Sequence, residues 1–271
     1  MPTGSSSDRV IRKRIVTSEG TTVSYRHYGD GPPLVLVHGG FSDDVTNWEF
    51  VDPILRERFT VYAIARRGRG ETDATVGHGI EDEARDVVSL IQAIGEPAFL
   101  LGHSYGGQCS LAAARLAPAS IRKLVLYEPP LPSILPRQVL LSLEELAAAG
   151  AWHDFAVTFF RDCLRVPIGD LVQLTGTDLW PPILADAKAT LGDLRALVRY
   201  DFDVRRFPRL DFPVLLQIGS ESPRALYITD ALAAVLPSAR IQVLAGQAHE
   251  GMTTAPELYA DAVIRFLLHE S

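Results

Sequence analysis

The stretch Phe99 to Ala117, FLLGHSYGGQCSLAAARLA, runs from a buried-strand pattern straight into helical spacing, with G-x-S-x-G at Gly102 to Gly106 across the joint. A strand that passes directly into a helix does so through a strained turn, which lifts the central side chain clear of both elements. The residues two before and two after must be small, or strand and helix cannot approach. Gly102, Gly106 and Gly107 meet that demand. Ser104 is therefore a candidate nucleophile, and its joint is the kind found where helices follow the strands of a parallel sheet.

Working outward, apolar runs alternate with helical patterns from residue 10 to 128. That alternation is the mark of βαβ units and a mainly parallel sheet. Strands are expected at 10–17, 22–28, 34–37, 61–65, 98–101 and 123–127, and helices near 47–57, 80–94 and 105–117. The segment EDEARDVVSLIQAIG places acids in the first turn of the second helix and Gly95 just past its end, suiting dipole and C-cap. After Pro129-Pro130 the strand signal stops for about eighty residues, and helical spacing takes over. Strands return in FPVLLQIG and ARIQVLAG, separated by a helix near 223–236 and followed by one from about 255, with T-x-x-E at Thr254 to Glu257 as its capping signal. The expected division is a core of 1–130 and 209–271 with a helical insertion at 131–208.

Composition narrows the function. With 271 residues, 47% hydrophobic and 22% charged, the chain has the profile of a globular protein. Its net charge of −7 argues against a nucleic-acid surface, which needs clustered lysine and arginine. The one basic run, Arg9 to Arg14, is accounted for by a solvated edge strand. Apolar runs such as LVLV at 34–37 are too short to cross a bilayer, and MPTGSSSD has no apolar core of a secretory signal. Cys109 and Cys163 lack metal-ligand spacing and are expected as two buried thiols in a reducing cytoplasm. No H-E-x-x-H or C-x-x-C is present and no phosphate loop is completed, so neither metal nor cofactor is expected.

A serine hydroxyl needs a base. Of the seven histidines, His249 in VLAGQAHEG lies directly after the last expected strand, at the carboxyl end where such sheets put their chemistry. His38 and His103 flank the glycine motifs, where local packing accounts for them; His153 and His269 fall on helices. LVLVHGGFSDD ends a buried strand in His38-Gly39-Gly40, whose backbone N–H groups can face a developing oxyanion. Gly40 is the first choice as donor and Phe41 the alternative. The second donor is the N–H of Tyr105, at the start of the helix after Ser104.

Taken in order, VHGGFSDD, ARRGRGET, LLGHSYGG and GQAHEG resemble the α/β-hydrolase superfamily over nearly the whole chain outside the insertion. The resemblance implies a mostly parallel eight-stranded sheet with helices on both faces, a helical cap formed by the insertion, and hydrolysis of an ester or related acyl bond without a cofactor. Two departures stand out. Ala65 occupies a loop position that often begins with Asp, which alters loop anchoring only. In QIGSESPRAL, Ser222 stands where the family most often places the acid that orients the histidine, and serine cannot supply that charge. Glu128, at the end of KLVLYEPP, is the leading replacement. Its strand lies beside the nucleophile strand in this topology, about 4.8 Å away, and some lipases and lactonases of the superfamily resemble that placement. Glu221 and Asp230 are the rivals, and Ser222 is read as the N-cap of a helix opening at Pro223.

Phe41, Trp152, Phe155 and Trp180 are the residues expected to contact substrate. The reading that results is a cytoplasmic serine hydrolase cleaving a small-to-medium hydrophobic ester or lactone, using Ser104, His249 and Glu128, with a homodimer left open. The alternatives are a degenerate hydrolase fold serving as a small-molecule binding protein, and a C–C bond hydrolase or perhydrolase with the same residues.

Overall fold

The central apolar runs become strands buried on both faces of one sheet, while the first and last strands stay largely exposed. In β3 (Pro33–Val37) every residue is buried, with Leu34 and Leu36 entering one hydrophobic cluster and Val35 and Val37 the other. That division follows from the alternation of side chains along a strand and explains why such strands read as unbroken apolar runs. The computed structural model describes residues 10–207 and 210–269. The remaining strands are β1 (Ile11–Val16), β2 (Thr22–Tyr28), β4 (Thr60–Ile64), β5 (Ala98–His103), β6 (Ile121–Tyr127), β7 (Val214–Gly219) and β8 (Ala239–Leu244). Their order across the sheet is β1-β2-β4-β3-β5-β6-β7-β8. β2 pairs antiparallel with β1 and β4, and the other pairs are parallel.

The helices outside the insertion divide between the two faces. α1 (Asp52–Leu55) and the C-terminal α10 (Pro256–Ile264) pack on one, through Leu55, Tyr259 and Val263. On the other lie α2 (Ile80–Ile94), α3 (Ser104–Leu116) and α8 (Thr229–Ala233). α2 ends as its sequence demands, with Gly95 left-handed at φ +86°. Between β6 and β7 the chain makes α4 (Arg137–Ala148), α5 (Trp152–Asp162), α6 (Ile168–Thr175) and α7 (Trp180–Arg199). Their apolar faces join the α2/α3 cluster. The short α9 (Gly251–Thr254) follows the His249 loop.

Three local expectations are corrected. The helix expected at 47–57 shrinks to α1, and around it the chain makes tighter turns, with the N–H groups of Trp48, Val51 and Arg58 donating three residues back to the carbonyls of Val45, Trp48 and Leu55. The helix expected from 223 to 236 breaks into a 3-10 turn at Arg224–Leu226 and α8. Between them Tyr227 is extended and bridged to Pro130, and Ile228 N–H donates to the Pro129 carbonyl. Thr254 does not cap the last helix: Ala255 stands before Pro256, and the Thr254 hydroxyl donates to Gln247 Oε1 at 2.7 Å. Residues 1–9, with Arg9 of the basic run, the boundary residues 208 and 209, and residues 270 and 271 lie outside the described residues.

Candidate active site

Ser104 takes φ +52°, a left-handed conformation that non-glycine residues rarely adopt. Close packing holds it there. A Cβ at Gly106 would run into the carbonyl oxygens of Val37 and His38, and one at Gly102 would run into Ser110 Oγ and the Gly107 Cα. The same approach brings the end of β3 beside the serine, since a Cβ at Gly39 would lie 3.1 Å from Ser104 Cβ.

His249 sits in the loop after β8, anchored from three sides. The Tyr127 hydroxyl donates to the Ala248 carbonyl and accepts the Gly251 N–H at 3.2 Å. The His249 carbonyl lies 3.0 Å from His103 Nε2. The Tyr227 ring stacks on the His249 ring, centroids 5.6 Å apart and planes within 13°. So held, His249 Nε2 lies 2.9 Å from Ser104 Oγ, and its Nδ1 lies 2.6 Å from Glu128 Oε2.

Glu128 follows β6 at φ +48° and is fully buried. Its second oxygen accepts the Gly219 N–H at 2.8 Å. The Tyr227 hydroxyl lies 3.3 Å from His249 Nδ1, on the same side of the ring as the carboxylate. Ser222 is not the N-cap expected from the sequence, since Pro223 takes that position with no side-chain cap bond; it is buried, and its hydroxyl favours the ionised form of Glu128. Burial opposes ionisation of Glu128, yet His249, Ser222 and Gly219 together hold it below its ordinary value. Burial likewise opposes the imidazolium, and the adjoining carboxylate outweighs it, so His249 is held above its ordinary value. Neither rival carboxylate joins this relay: Glu221 is exposed and accepts from Ser220 Oγ at 2.8 Å, and Asp230 pairs with Arg224.

Of the two residues weighed as oxyanion donors on the β3 side, the Phe41 N–H is taken by Thr190 Oγ1 at 2.7 Å. No acceptor for the Gly40 N–H is found among the described residues. Tyr105 lies in the first turn of α3, where backbone N–H groups lack helical partners. Beneath the β3 loop a buried ion cluster ties core to insertion. Arg66 donates to Asp193 Oδ2 at 2.7 Å, Glu83 Oε2 at 2.9 Å and the Gly39 carbonyl at 2.8 Å. Arg69 joins Asp193 Oδ2 at 2.7 Å and Thr190 Oγ1 at 3.1 Å.

A cavity of about 320 Å³ opens over Ser104, lined mostly by apolar side chains. Of the four residues expected at the substrate, Phe41 lines it and the other three do not. Phe155 is buried behind Phe41, ring centroids 5.8 Å apart. Trp180 is buried and donates its indole N–H to His153 Nδ1 at 3.1 Å. Trp152 borders a separate surface groove with Arg195 and Lys188. Phe159 and Phe160, one turn further along α5, take the lining role. Both belong to the aromatic patch that the sequence shows with Trp152 and Phe155; what the sequence reading missed is Asn47, whose Oδ1 accepts the Gly39 N–H at 2.9 Å and Ser42 Oγ at 2.9 Å, bracing the β3 loop. Two groups of donors come close enough to suggest a metal, His103/His249/Glu250 and His78/Glu83/Asp193. The first shares His249 with the relay, and the second is bound up in the Arg66 cluster.

A strained strand-to-helix serine, a histidine after the last strand and a buried carboxylate on a neighbouring strand, all at the carboxyl edge of one sheet, define a class of fold and site. The chain belongs to the alpha/beta hydrolase family, whose model matches residues 34–262. It is 27% identical over 277 aligned positions to the 2-(acetamidomethylene)succinate hydrolase of Mesorhizobium japonicum, covering 96% of each chain. It is 29% identical to a non-heme haloperoxidase of Rhodococcus erythropolis, covering 89% of this chain and 93% of that one. An alpha/beta hydrolase of Sphaerobacter thermophilus has a similar crystal structure, with TM-score 0.82, 30% identity and coverage of 94% and 99%.

Proposed function

We propose that this protein is a serine hydrolase that cleaves the carboxylic ester or lactone bond of a small-to-medium hydrophobic substrate through an acyl-enzyme. The observation that carries the reading is the unbroken relay from Ser104 through His249 to Glu128, at 2.9 and 2.6 Å, beneath an apolar cavity. His249 takes the Ser104 proton as the oxygen attacks the acyl carbonyl. The tetrahedral oxyanion is met by the N–H groups of Gly40 and Tyr105, which the dipole of α3 reinforces. Glu128 holds Nδ1 as the donor and stabilises the imidazolium. His249 then protonates the leaving alcohol, and water, activated by the same imidazole, releases the acid.

An apolar cavity of this size suits an acyl or alcohol part of modest length. The completeness of the relay favours turnover over a binding role alone. The test is direct. A fluorophosphonate should label wild-type protein at Ser104 and leave Ser104→Ala unlabelled, and short p-nitrophenyl esters or lactones should be turned over. A wild-type Ser104 that stays unmodified would overturn the enzyme reading, and labelling without ester or lactone turnover would move it toward C–C bond hydrolysis.

A further inference from the structure

The charges around the cavity are of one sign. Among the described residues lining it there is no lysine or arginine, while Glu49, Asp170 and Glu250 all contribute carboxylates. All three are exposed, and none has an ion-pair partner among the described residues. Asp193, the fourth lining carboxylate, is neutralised from behind. Arg66 and Arg69, with side chains 1% and 0% exposed, are spent on Asp193 and Glu83. Two guanidiniums against two carboxylates leave that cluster without surplus positive charge. Arg165 lies between the lining Leu164 and Val166 in sequence, but it is exposed and does not line the cavity.

The apolar wall adds a second, independent feature. Phe41, Phe159 and Phe160 form one aromatic cluster on the cavity, Phe41 lying 5.1 and 5.0 Å from the other two by ring centroids. Aromatic faces attract cations and apolar groups and do nothing for a carboxylate. A substrate carboxylate entering here would leave water for an apolar wall with no cationic partner, in a cavity whose lining already carries three like charges. We propose, building on the serine-hydrolase reading, that the site is selective by charge: it accepts neutral and cationic esters and rejects those whose acyl chain bears a carboxylate.

Three p-nitrophenyl esters with six-carbon acyl chains provide the test, ending in methyl, carboxylate or trimethylammonium. At pH 8 and low salt, kcat/KM for the carboxylate ester should fall on the order of 10²-fold below that of the trimethylammonium ester, with the neutral ester near the cationic one. The gap should narrow several-fold at high salt, because exposed charges are screened. It should narrow also in Glu49→Gln/Asp170→Asn, two exposed positions whose change leaves core packing intact. Equal or faster turnover of the carboxylate ester would overturn the inference, as would a gap indifferent to both salt and the double variant. The N-methyl amides of the same acids, bound to Ser104→Ala and followed by calorimetry, should show the same order without catalysis. Correct binding order with no ester cleaved would overturn the hydrolase reading alone, and a reversed order would overturn the charge selectivity alone.

Discussion

At Glu128 the fold spends backbone strain, full burial and a hydrogen-bonding partner for each oxygen, Gly219 N–H and His249 Nδ1, on one carboxylate. A buried charge persists only where such partners offset the loss of water, so their presence argues that the group is kept ionised for His249. Glu128→Gln keeps the shape and removes the charge, and it should lower kcat on an ester substrate by about 10³- to 10⁴-fold. The same variant should move the pH profile. In the proposed mechanism His249 acts as the neutral base, and the carboxylate holds its pKa above 6.5, so the acid limb of kcat/KM should have its midpoint above pH 6.5. With the Glu128 charge gone only Glu250 still opposes the burial of the ring, and the midpoint should fall below that of wild type. A limb that stays in place would mean that Glu128 does not govern the imidazole. Ser104 and His249 were visible in the sequence because each belongs to a local pattern that its chemistry requires. Glu128 needed the strand order as well, being 121 positions from His249 and 91 from Gly219. Tyr227 left no trace: its part depends on a bridge to Pro130 across the whole insertion.

Elements meet at the carboxyl edge with almost no spare room, and glycines mark where. Gly219 ends β7 against the loop that carries His249; a Cβ there would overlap the Gln247 carbonyl oxygen and lie 2.9 Å from Ala248 Cα. The Gly219 N–H also donates to Glu128. Gly219→Ala must therefore push the β8 loop away or withdraw the donor, and either lengthens the contact between His249 and Glu128. The expected outcome is a loss of kcat of at least about 10²-fold with KM little changed, since a small misplacement of catalytic groups is costly. Thermal unfolding separates a displaced loop from global damage: a Tm drop of only a few degrees is expected with the rate loss. Elements of this kind were largely legible, because strand length and apolar content are local properties. The irregular pieces were not. The break between residues 226 and 229 is imposed by hydrogen bonds to Pro129 and Leu131, from a segment remote in sequence.

Over the whole molecule, the insertion is fastened to the sheet by the ion cluster under the β3 loop. Asp193 of α7 meets Arg66 and Arg69 of the core, and Thr190, one turn earlier, takes the Phe41 N–H. The position of α7 and the shape of the Gly39–Phe41 loop are therefore coupled mechanically. A buried ion pair adds little over an apolar substitute, but removing one partner strands the other charge. Asp193→Asn would leave two buried guanidiniums facing a neutral amide, with Glu83 alone to balance them. We expect a loss of about 3–5 kcal/mol in equilibrium denaturation. We also expect a disproportionate loss of kcat, because the loop that offers the Gly40 N–H loses its brace. Replacing the cluster as a unit, with Arg66→Met, Arg69→Met, Asp193→Leu and Glu83→Leu together, should recover much of the stability, since no guanidinium or carboxylate is then left unpaired and His78, the remaining partner of Glu83, can shed its proton. It should not recover kcat in proportion, because Arg66 also donates to the Gly39 carbonyl. If stability and kcat return together, the cluster serves only to hold α7 in place; if stability alone returns, it also sets the geometry of the Gly39–Phe41 loop.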